Sequence, residues 1–405
     1  MTTQSLERSG PASGDLATLT VVSSAHLVSH LHIMVLPVLL HLLKDRVNVS
    51  YFELGLAITA FNIVSGLTQA PMGFLVDRIG ARTVLVGGLL LGGAAFASIS
   101  VLDSYAWLIL AAALAGLANC VYHPADYAIL NDSISERRIG RAFSVHTFAG
   151  FAGGAIAPPL LLGLAAAMGV GSSLLAAGAF AWAVAAVVLL MPTAPSARQA
   201  QGAGATQVKV SLSELLSPTV LALSVFFVLL ALSGSAMSTF AIAALIGGHG
   251  ISEAAATAAL TAYLAAAATG VLAGGLLADR TRRHGDVAAA GFGVAALLAL
   301  AIAIAPLPVP VLVVAMGLTG FIYGTIQPSR DMLVRKAAPP GAAGRVFGIV
   351  STGFNIGGII GPLLFGWLMD NGAPRWIFGM AVIFMAATAL LGVIEERRPQ
   401  LWGRG

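Results

Sequence analysis

The chain has 405 residues, of which 58% are hydrophobic and only 9% are charged. Soluble globular domains carry about 25% charged residues, so this chain has too few polar side chains to cover a surface in water. The composition therefore excludes an ordinary soluble protein, and the single cysteine, Cys120, excludes a disulfide framework.

Apolar runs separated by short polar breaks follow one another along the whole chain, with the lengths of helices rather than of barrel strands. We predict an all-α membrane protein with twelve transmembrane helices. A polar tail at 1–16 precedes six spans at 17–192, a linker at 193–217 leads to six more at 218–395, and a tail follows at 396–405. The predicted spans are 17–43, 53–76, 83–102, 105–131, 142–168, 171–192, 218–247, 254–278, 287–305, 309–334, 346–370 and 374–394.

Lys and Arg residues are distributed unevenly between the two sides of these spans. If both termini lie on one face, that face carries 17 of the 21, whereas Lys44, Arg46 and Arg375 lie on the other and Arg330 lies within a span. Because cytoplasmic loops hold the positive excess, we predict cytoplasmic termini in the cytoplasmic (inner) membrane. The sequence lacks the basic patch with interleaved aromatic residues that nucleic-acid binding needs, so we expect no nucleic-acid partner.

The two halves of the chain are related in sequence. A shift of 204 positions places Pro124 on Pro328, and a shift of 202 places Asp77 on Asp279. The 204-position shift also aligns Gly140-Arg141 with Gly344-Arg345, Phe143 with Phe347, Gly153-Gly154 with Gly357-Gly358, and Pro158 with Pro362. Six spans, a linker and six more spans in the same orientation form the parallel-repeat design of transporters. We therefore predict two pseudo-symmetric six-helix bundles.

The loop between the second and third spans carries Gly-Phe-Leu-Val-Asp-Arg-Ile-Gly-Ala-Arg at 73–82, and 275–283 is a degenerate second copy. With the duplication and the span count, this segment resembles the signature loop of the major facilitator superfamily. The resemblance implies alternating access about a central cavity, with a gate in which Asp77 meets loop arginines or helix N–H groups. Alternatively, the arginines only set the topology. The predicted gating residues are Asp77, Arg78, Arg82, Arg137, Arg138, Arg141, Asp279 and Arg280.

Within that superfamily, the sequence is most similar to exporters of the fosmidomycin-resistance type. The similarity rests on His-Leu-x-Ser-His at 26–30 and on His123-Pro124, although Ala125 stands where that branch has a Glu. An alanine also replaces the arginine usual in the fourth span. The segment 150–159 resembles the glycine–proline motif of antiporters, which equally serves close helix packing and bending.

Ionisable side chains within the spans are few, and each costs about 2.5–3.5 kcal/mol on insertion scales. Six of the eight histidines lie in spans 1, 4 and 5. His26 and His30 share a helix face, as do His123 and Asp126. The 204-position shift places Asp126 on Arg330. Because equivalent positions of two bundles tend to face one cavity, we predict a single polar layer there.

Arginine donates two parallel hydrogen bonds to a carboxylate or phosphonate, whereas histidine changes charge near physiological pH. We therefore predict that Arg330 binds an anionic substrate group while Asp126 and the histidines carry a proton. A gating salt bridge between Asp126 and Arg330 is the alternative. The predicted substrate-binding residues are Arg330, His123, Tyr122, Gln327 and His30. The predicted proton-coupling residues are Asp126, His26, His30, His146 and Asp331.

These features predict a monomeric, proton-coupled secondary transporter that exports a small organic anion or drug-like molecule by antiport. Proton symport of a carboxylate into the cell is one alternative, and export of a transition metal through the histidines of spans 1, 4 and 5 is another. A membrane receptor or scaffold without transport is a third. The sequence lacks a nucleophile elbow, a phosphate loop and a metalloprotease signature, so we expect no enzymatic activity, cofactor or resident metal.

Overall fold

The computed structural model describes residues 13–134, 136–190, 215–339 and 343–401. Within these ranges the chain forms fourteen α-helices and no β-strand. In chain order they are α1 (Ser13–Val47), α2 (Tyr51–Ile79), α3 (Ala81–Ile99), α4 (Tyr105–Asn119), α5 (Tyr122–Ser133), α6 (Glu136–Met168), α7 (Val170–Leu190), α8 (Pro218–Ser238), α9 (Ala241–His249), α10 (Glu253–Arg280), α11 (His284–Ile304), α12 (Val309–Ala337), α13 (Ala343–Asp370) and α14 (Arg375–Leu401). Twelve segments of the described chain are long and apolar enough to cross a membrane, which confirms the predicted fold class.

Two of the predicted spans are each built from two helices. The span at 105–131 breaks between α4 and α5, because Pro124 has no N–H to donate to the Cys120 carbonyl and its ring crowds that carbonyl. The span at 218–247 breaks between α8 and α9, after a segment rich in glycine and serine. There the Ser238 hydroxyl donates to the Gly234 carbonyl at 2.8 Å. Side-chain bonds of this kind compete with the helical ladder and bend helices.

The terminal helices extend beyond the boundaries expected from hydropathy alone. α1 begins at Ser13 and α14 runs to Leu401. In α14 the added turns contain Glu395, Glu396 and Arg397, and Glu and Arg sustain a helix outside the apolar core. Most of the predicted linker, together with residues 1–12 and 402–405, lies outside the described residues.

Helix packing repeats between the two halves. In the first half α1 packs on α6, α3 on α7, and α2 on α4; in the second, α8 packs on α13, α11 on α14, and α10 on α12. The contacts that join the halves are also paired, since α2 packs on α13 and α6 on α10. The pseudo-symmetry expected from the 204-position shift is therefore present in the helix contacts.

A glycine at equivalent positions holds the first and fifth spans of each half together. A Cβ at Gly153 of α6 would clash with the Leu27 carbonyl of α1. At Gly357 of α13, a Cβ would lie 2.5 Å from the Ala231 side chain of α8. Both members of the second pair lie 204 positions after the first. The shared glycine thus lets these helices approach to backbone contact in both halves.

The two halves meet most closely away from the termini. We call the side where α1 begins and α14 ends the terminal face, and the other side the opposite face. Near the middle of both helices, the Asn62 amide donates to the Gly358 carbonyl at 2.7 Å and the Thr59 hydroxyl to the Ile359 carbonyl at 3.1 Å. These bonds fix α2 against α13.

Candidate functional site

Five ionisable side chains from three helices meet inside the first half. They are His26 and His30 of α1, His123 and Asp126 of α5, and His146 of α6. We call this group the histidine cluster. The predicted helical spacing is what brings them together, because His26 and His30 face α6 on adjacent turns of α1.

The centre of the histidine cluster is a hydrogen-bonded pair sealed from solvent. His146 Nε2 lies 3.0 Å from Asp126 Oδ2, and both side chains are 0% exposed. A carboxylate with no solvent contact needs such a partner, because an isolated charge in an apolar interior is very costly. The pair is therefore both a structural unit and a candidate proton site.

A third residue is locked against this pair. His26 Nδ1 lies 2.7 Å from the backbone carbonyl of His146, which can only accept, so Nδ1 carries the hydrogen. The His26 and His146 rings stack with centroids 3.9 Å apart and an interplanar angle of 4°. Gly150, one turn along α6, leaves the space for this arrangement, since a Cβ there would lie 2.6 Å from the His26 ring.

Three polar atoms of the histidine cluster have no hydrogen-bond partner among the residues described. They are His26 Nε2, His146 Nδ1 and Asp126 Oδ1, and all three are buried. Leaving a buried polar atom unpaired costs about 1–3 kcal/mol, so native proteins retain such atoms where they have a role. Each of these atoms is a place where a proton can be taken up.

His30 and His123 extend the cluster outward from the sealed pair. The His30 and His123 rings lie 4.7 Å and 5.4 Å from the His26 ring, and His123 is exposed. The Tyr127 ring lies 5.6 Å from His123 and 5.7 Å from His146. A line of imidazole rings thus leads from buried Asp126 to an open position.

Next to the histidine cluster lies a cavity of about 340 Å³ between the two halves. Its walls come mainly from the terminal-side parts of α6 and α10, with Pro328 contributed by α12. Two wall residues lie beside the cluster, Phe151 at its member His30 and Phe143 at the neighbouring Tyr127. The Phe143 ring stands at 90° to Tyr127, 5.1 Å away, and Phe151 lies 6.1 Å from His30. This volume falls within the range of small-molecule sites, about 300–1,000 Å³.

The second half presents an arginine at the position equivalent to Asp126. The Arg330 guanidinium donates to Asp331 Oδ1 from Nε at 2.9 Å and from Nη2 at 2.7 Å. It also lies 5.0 Å from the Phe227 ring centroid and 5.3 Å from that of Phe354. Two aromatic faces and a carboxylate therefore hold a guanidinium that is only 13% exposed.

Asp126 and Arg330 do not meet, in contrast to the expected single layer and its alternative, a salt bridge between them. Asp126 turns between α1 and α6, and Arg330 turns between their counterparts α8 and α13. Each side chain thus finds its polar partner within its own half. The repeat predicted equivalent positions correctly, but those positions point into the two bundles rather than across a shared cleft.

Two other predicted substrate residues differ in their surroundings. Tyr122 is buried in the first half with no hydrogen-bond partner for its hydroxyl among the described residues, so it does not line the cavity. Gln327 is half-buried and precedes the cavity residue Pro328. Asp331 is 47% exposed and lies within electrostatic range of the Tyr127 hydroxyl of the first half.

The predicted gating residues lie on the terminal face and are mostly exposed. Asp77 and Asp279 form no ion pair with any residue in the described ranges, and Arg78, Arg141 and Arg280 are exposed. Arg82 differs, because its guanidinium donates to the Val188 and Leu189 carbonyls. It therefore caps the carboxyl end of α7. The side chain of Arg137 lies outside the described part, and Arg138 is half-buried.

Two carboxylates that the sequence did not single out join the halves at the opposite face. Asp370, at the end of α13, accepts from the backbone N–H groups of Tyr51 and Phe52 at 2.9 and 2.8 Å. Glu253, at the start of α10, lies 2.8 Å from His41 Nε2 of α1. The only advance signal was a lone acidic residue at a span end. We call these contacts the opposite-face latch.

His32, the other buried histidine of α1, has a packing role. His32 Nε2 lies 3.1 Å from the Ala177 carbonyl of α7, and the ring packs on Phe96 of α3. Within the described residues, no group of three or more His, Cys, Asp or Glu side chains has a geometry that could hold a metal ion. The metal-export alternative therefore gains no support from the histidine cluster.

Residues 22–249 and 226–404 match the model of the Major Facilitator Superfamily. Over 374 residues, the chain is 27% identical to multidrug resistance protein MdtH of Aeromonas hydrophila, covering 86% of this chain and 89% of that protein. It is 24% identical to the fosmidomycin resistance protein of Escherichia coli K12 over 386 residues, covering 91% and 92%.

The fold is similar to the crystal structure of a bacterial homologue of the human lysosomal transporter Spinster, solved in an inward-facing and unoccupied conformation. The TM-score is 0.80 at 15% identity, covering 98% of this chain and all of that one. The family match and the twelve spans confirm the predicted superfamily, and the resistance-protein relatives confirm the predicted likeness to drug exporters. The chain is thus a multi-pass membrane transporter, not an enzyme, and belongs to the major facilitator superfamily.

Proposed function

We propose that the chain is a proton-coupled exporter of a drug-like organic anion that works by alternating access in the cytoplasmic membrane, with both termini in the cytoplasm. One observation carries the proton part: the sealed Asp126–His146 pair has unpartnered buried atoms and adjoins the cavity through His26, His30 and His123. Export is supported by the names of the relatives, which are resistance proteins.

The charge of the pair explains how a proton could be linked to movement. When Asp126 is ionised, the neutral His146 ring donates a hydrogen bond to its carboxylate. When the pair takes up a proton, either the Asp126 carboxylate becomes a neutral carboxylic acid or the His146 ring becomes a cation. In a site sealed from solvent, these two states differ strongly in electrostatic energy. A conformation that exposes the pair and one that seals it would therefore bind the proton with different affinity, as coupling requires.

The conformation supports the same cycle. The halves are held together by the opposite-face latch, while the cavity lies toward the terminal face and Asp77 is without an ion pair there among the described residues. If the termini are cytoplasmic, this is an inward-facing state. Substrate would enter from the cytoplasm, and the latch would open to release it.

A proteoliposome flux assay with fosmidomycin as the probe tests this proposal. If the protein exchanges protons for substrate, an acidic lumen drives accumulation of fosmidomycin in the liposomes. Asp126→Asn should abolish this dependence on the pH gradient, because the amide keeps an acceptor for His146 but does not titrate. Asp45→Asn is the matched control, since Asp45 is an exposed carboxylate of the same half whose one ion pair among the described residues is with Lys44, at 3.9 Å. Gradient-driven flux of normal size in Asp126→Asn would disprove coupling at this pair.

Arg330 is the proposed ligand for the anionic group. A substrate carboxylate or phosphonate would replace the Asp331 oxygen on the guanidinium fork, while Phe227 and Phe354 keep the fork in place. Arg330→Lys removes the two-point geometry but keeps the charge, so the half-saturating concentration of the probe should rise about tenfold, or ~1.4 kcal/mol. Arg283→Lys, at an exposed pair with Asp286, should leave it unchanged.

The ion pair between Arg330 and Asp331 favours one alternative function, symport of a carboxylate with a proton. Protonating Asp331 would release the Arg330 fork for a substrate anion, so proton and anion would bind together. The direction of the gradient separates the two functions. Accumulation driven by an acidic exterior supports symport, whereas accumulation driven by an acidic lumen supports exchange.

A further inference from the structure

A second cavity lies at the opposite face, entirely within the second half. It has a volume of about 110 Å³ and is walled by apolar side chains of α9, α11 and α12, including Leu245, Ile302 and Leu312. The polar side chains lining it are His249, at the end of α9, and Arg375, at the start of α14. It is separate from the cavity between the halves and from the opposite-face latch.

Arg375 differs from the other basic residues of that face. Lys44 lies near Asp45, and Arg46 donates to Asp103 at 2.6 Å. Arg375, by contrast, forms no ion pair with any described residue, and its Nε donates to the backbone carbonyl of Gly248 at 2.7 Å. That bond fixes the side chain at the cavity but leaves the positive charge without a counter-charge.

The second basic side chain is also incompletely satisfied. His249 Nε2 is buried and has no hydrogen-bond partner in the described part of the chain. Burial and the neighbouring Arg375 charge both lower the pKa of His249. No acidic side chain of the described residues lines the cavity. The Arg375 guanidinium supplies a positive charge and the neutral His249 ring can donate an N–H from Nε2, and together they make a site for an anion.

The size of the cavity limits the class of ligand. A volume of about 110 Å³ corresponds to only a few water molecules at ~30 Å³ each, which excludes a drug-sized molecule. Trp376, next to Arg375, is 58% exposed, as expected of an aromatic side chain at the headgroup level of a bilayer. A single phosphate group fits both the charge and the depth.

We propose that Arg375 and His249 bind one phosphate group at the opposite face, supplied either by an anionic phospholipid or by free phosphate. Arg375 donates to the phosphate through its terminal nitrogens, and His249 contributes Nε2. A bound phosphate at this site stabilises the junction of the α9–α10 and α11–α12 connections against α14. The site is independent of the proposed substrate and proton residues.

Purified full-length protein in detergent tests the proposal in two arms. The first measures the thermal shift produced by inorganic phosphate against chloride at equal ionic strength. The second counts phosphatidylglycerol and phosphatidylcholine molecules retained in native mass spectra. Stabilisation by inorganic phosphate identifies the free anion as a source, and preferential retention of phosphatidylglycerol identifies the lipid.

Variants assign the binding to this cavity. Arg375→Gln and His249→Gln should each weaken the responding ligand at least tenfold, Arg375→Lys should retain part of the binding, and Lys44→Gln, at an ion-paired residue of the same face, should bind as the parent does. Arg375→Lys also serves if Arg375→Gln does not fold. The proposal is overturned if neither ligand binds, or if binding survives unchanged in both Arg375→Gln and His249→Gln.

Discussion

Asp126 uses one carboxylate oxygen and leaves the other unpaired, and His146 does the same with its two ring nitrogens. A fully satisfied pair would be a static structural element. Here each partner keeps one free position, and His26 holds the His146 backbone from the other side. Sequence spacing placed these residues on facing helices, but only the fold shows which atoms remain open.

The first prediction concerns the stability of that pair. Asp126→Leu and His146→Leu should each lower the free energy of unfolding by about 3–5 kcal/mol, because each leaves its partner buried and unpaired. The double variant should lose much less than the sum, since two apolar side chains of similar size leave no uncompensated polar atom. Thermal unfolding of the four proteins of this cycle measures the coupling. Strictly additive losses would show that the pair contributes nothing as a unit.

The second prediction concerns the pH dependence of stability at His249, which lies outside the membrane-spanning segments. Burial and the Arg375 charge lower the pKa of His249 in the folded protein, so the unfolded chain binds its proton more readily. Folding stability should therefore fall as pH drops below about 6.5, the unfolded value. Melting temperatures between pH 8 and pH 5, in phosphate-free buffer, should fall less in His249→Gln than in the parent. Equal slopes would mean that His249 does not contribute.

At the scale of single helices, packing depends on particular glycines rather than on glycine content. Gly153 faces the Leu27 carbonyl of α1, whereas a Cβ at the adjacent Gly154 would have no neighbour within 4 Å. The amino-acid sequence alone cannot separate two neighbouring glycines in one motif. Their roles depend on the direction in which each faces, which tertiary packing decides.

The third prediction uses that difference. Gly153→Ala should destabilise the protein by about 1–3 kcal/mol, because α1 and α6 must move apart. Gly154→Ala is the matched control and should be neutral or stabilising by roughly 0.5–1 kcal/mol, since alanine favours the helix. Thermal unfolding in one detergent compares the two. Equal effects from both substitutions would contradict the assigned contact.

For the whole molecule, the sequence predicted what hydropathy and duplication determine: twelve spans, two halves and the equivalence of Asp126 and Arg330. It did not predict that these two residues turn away from each other, because satisfying a buried charge within its own bundle is a matter of three-dimensional neighbours. The residues around the two charges show why. Phe227 and Phe354 surround Arg330 in the second half, whereas the equivalent positions of the first half, 204 residues earlier, hold Ser23 and Gly150.

The sequence did not predict the opposite-face latch either, since the residues that form it lie far apart in the chain. Asp370 accepts two backbone N–H groups at the start of α2, and a carboxylate there also interacts favourably with the helix dipole. Each hydrogen bond to a charged group contributes about 1.5–3 kcal/mol. Because these bonds cross between the halves, they stabilise only the conformation that is closed at this face.

The fourth prediction is that Asp370→Asn shifts the molecule toward opening at the opposite face, because a neutral amide oxygen replaces a carboxylate that bridges two N–H groups. In a Cys120→Ser background, spin labels at Val101 and Val309 should report a larger share of long distances across that face, and labels at Phe74 and Leu276 a larger share of short ones at the terminal face. Asp45→Asn removes a carboxylate on the same face within one half and should leave both distributions unchanged. If Asp370→Asn also leaves them unchanged, its bonds to α2 do not select the conformation, and closure rests on the packing of α2 against α13.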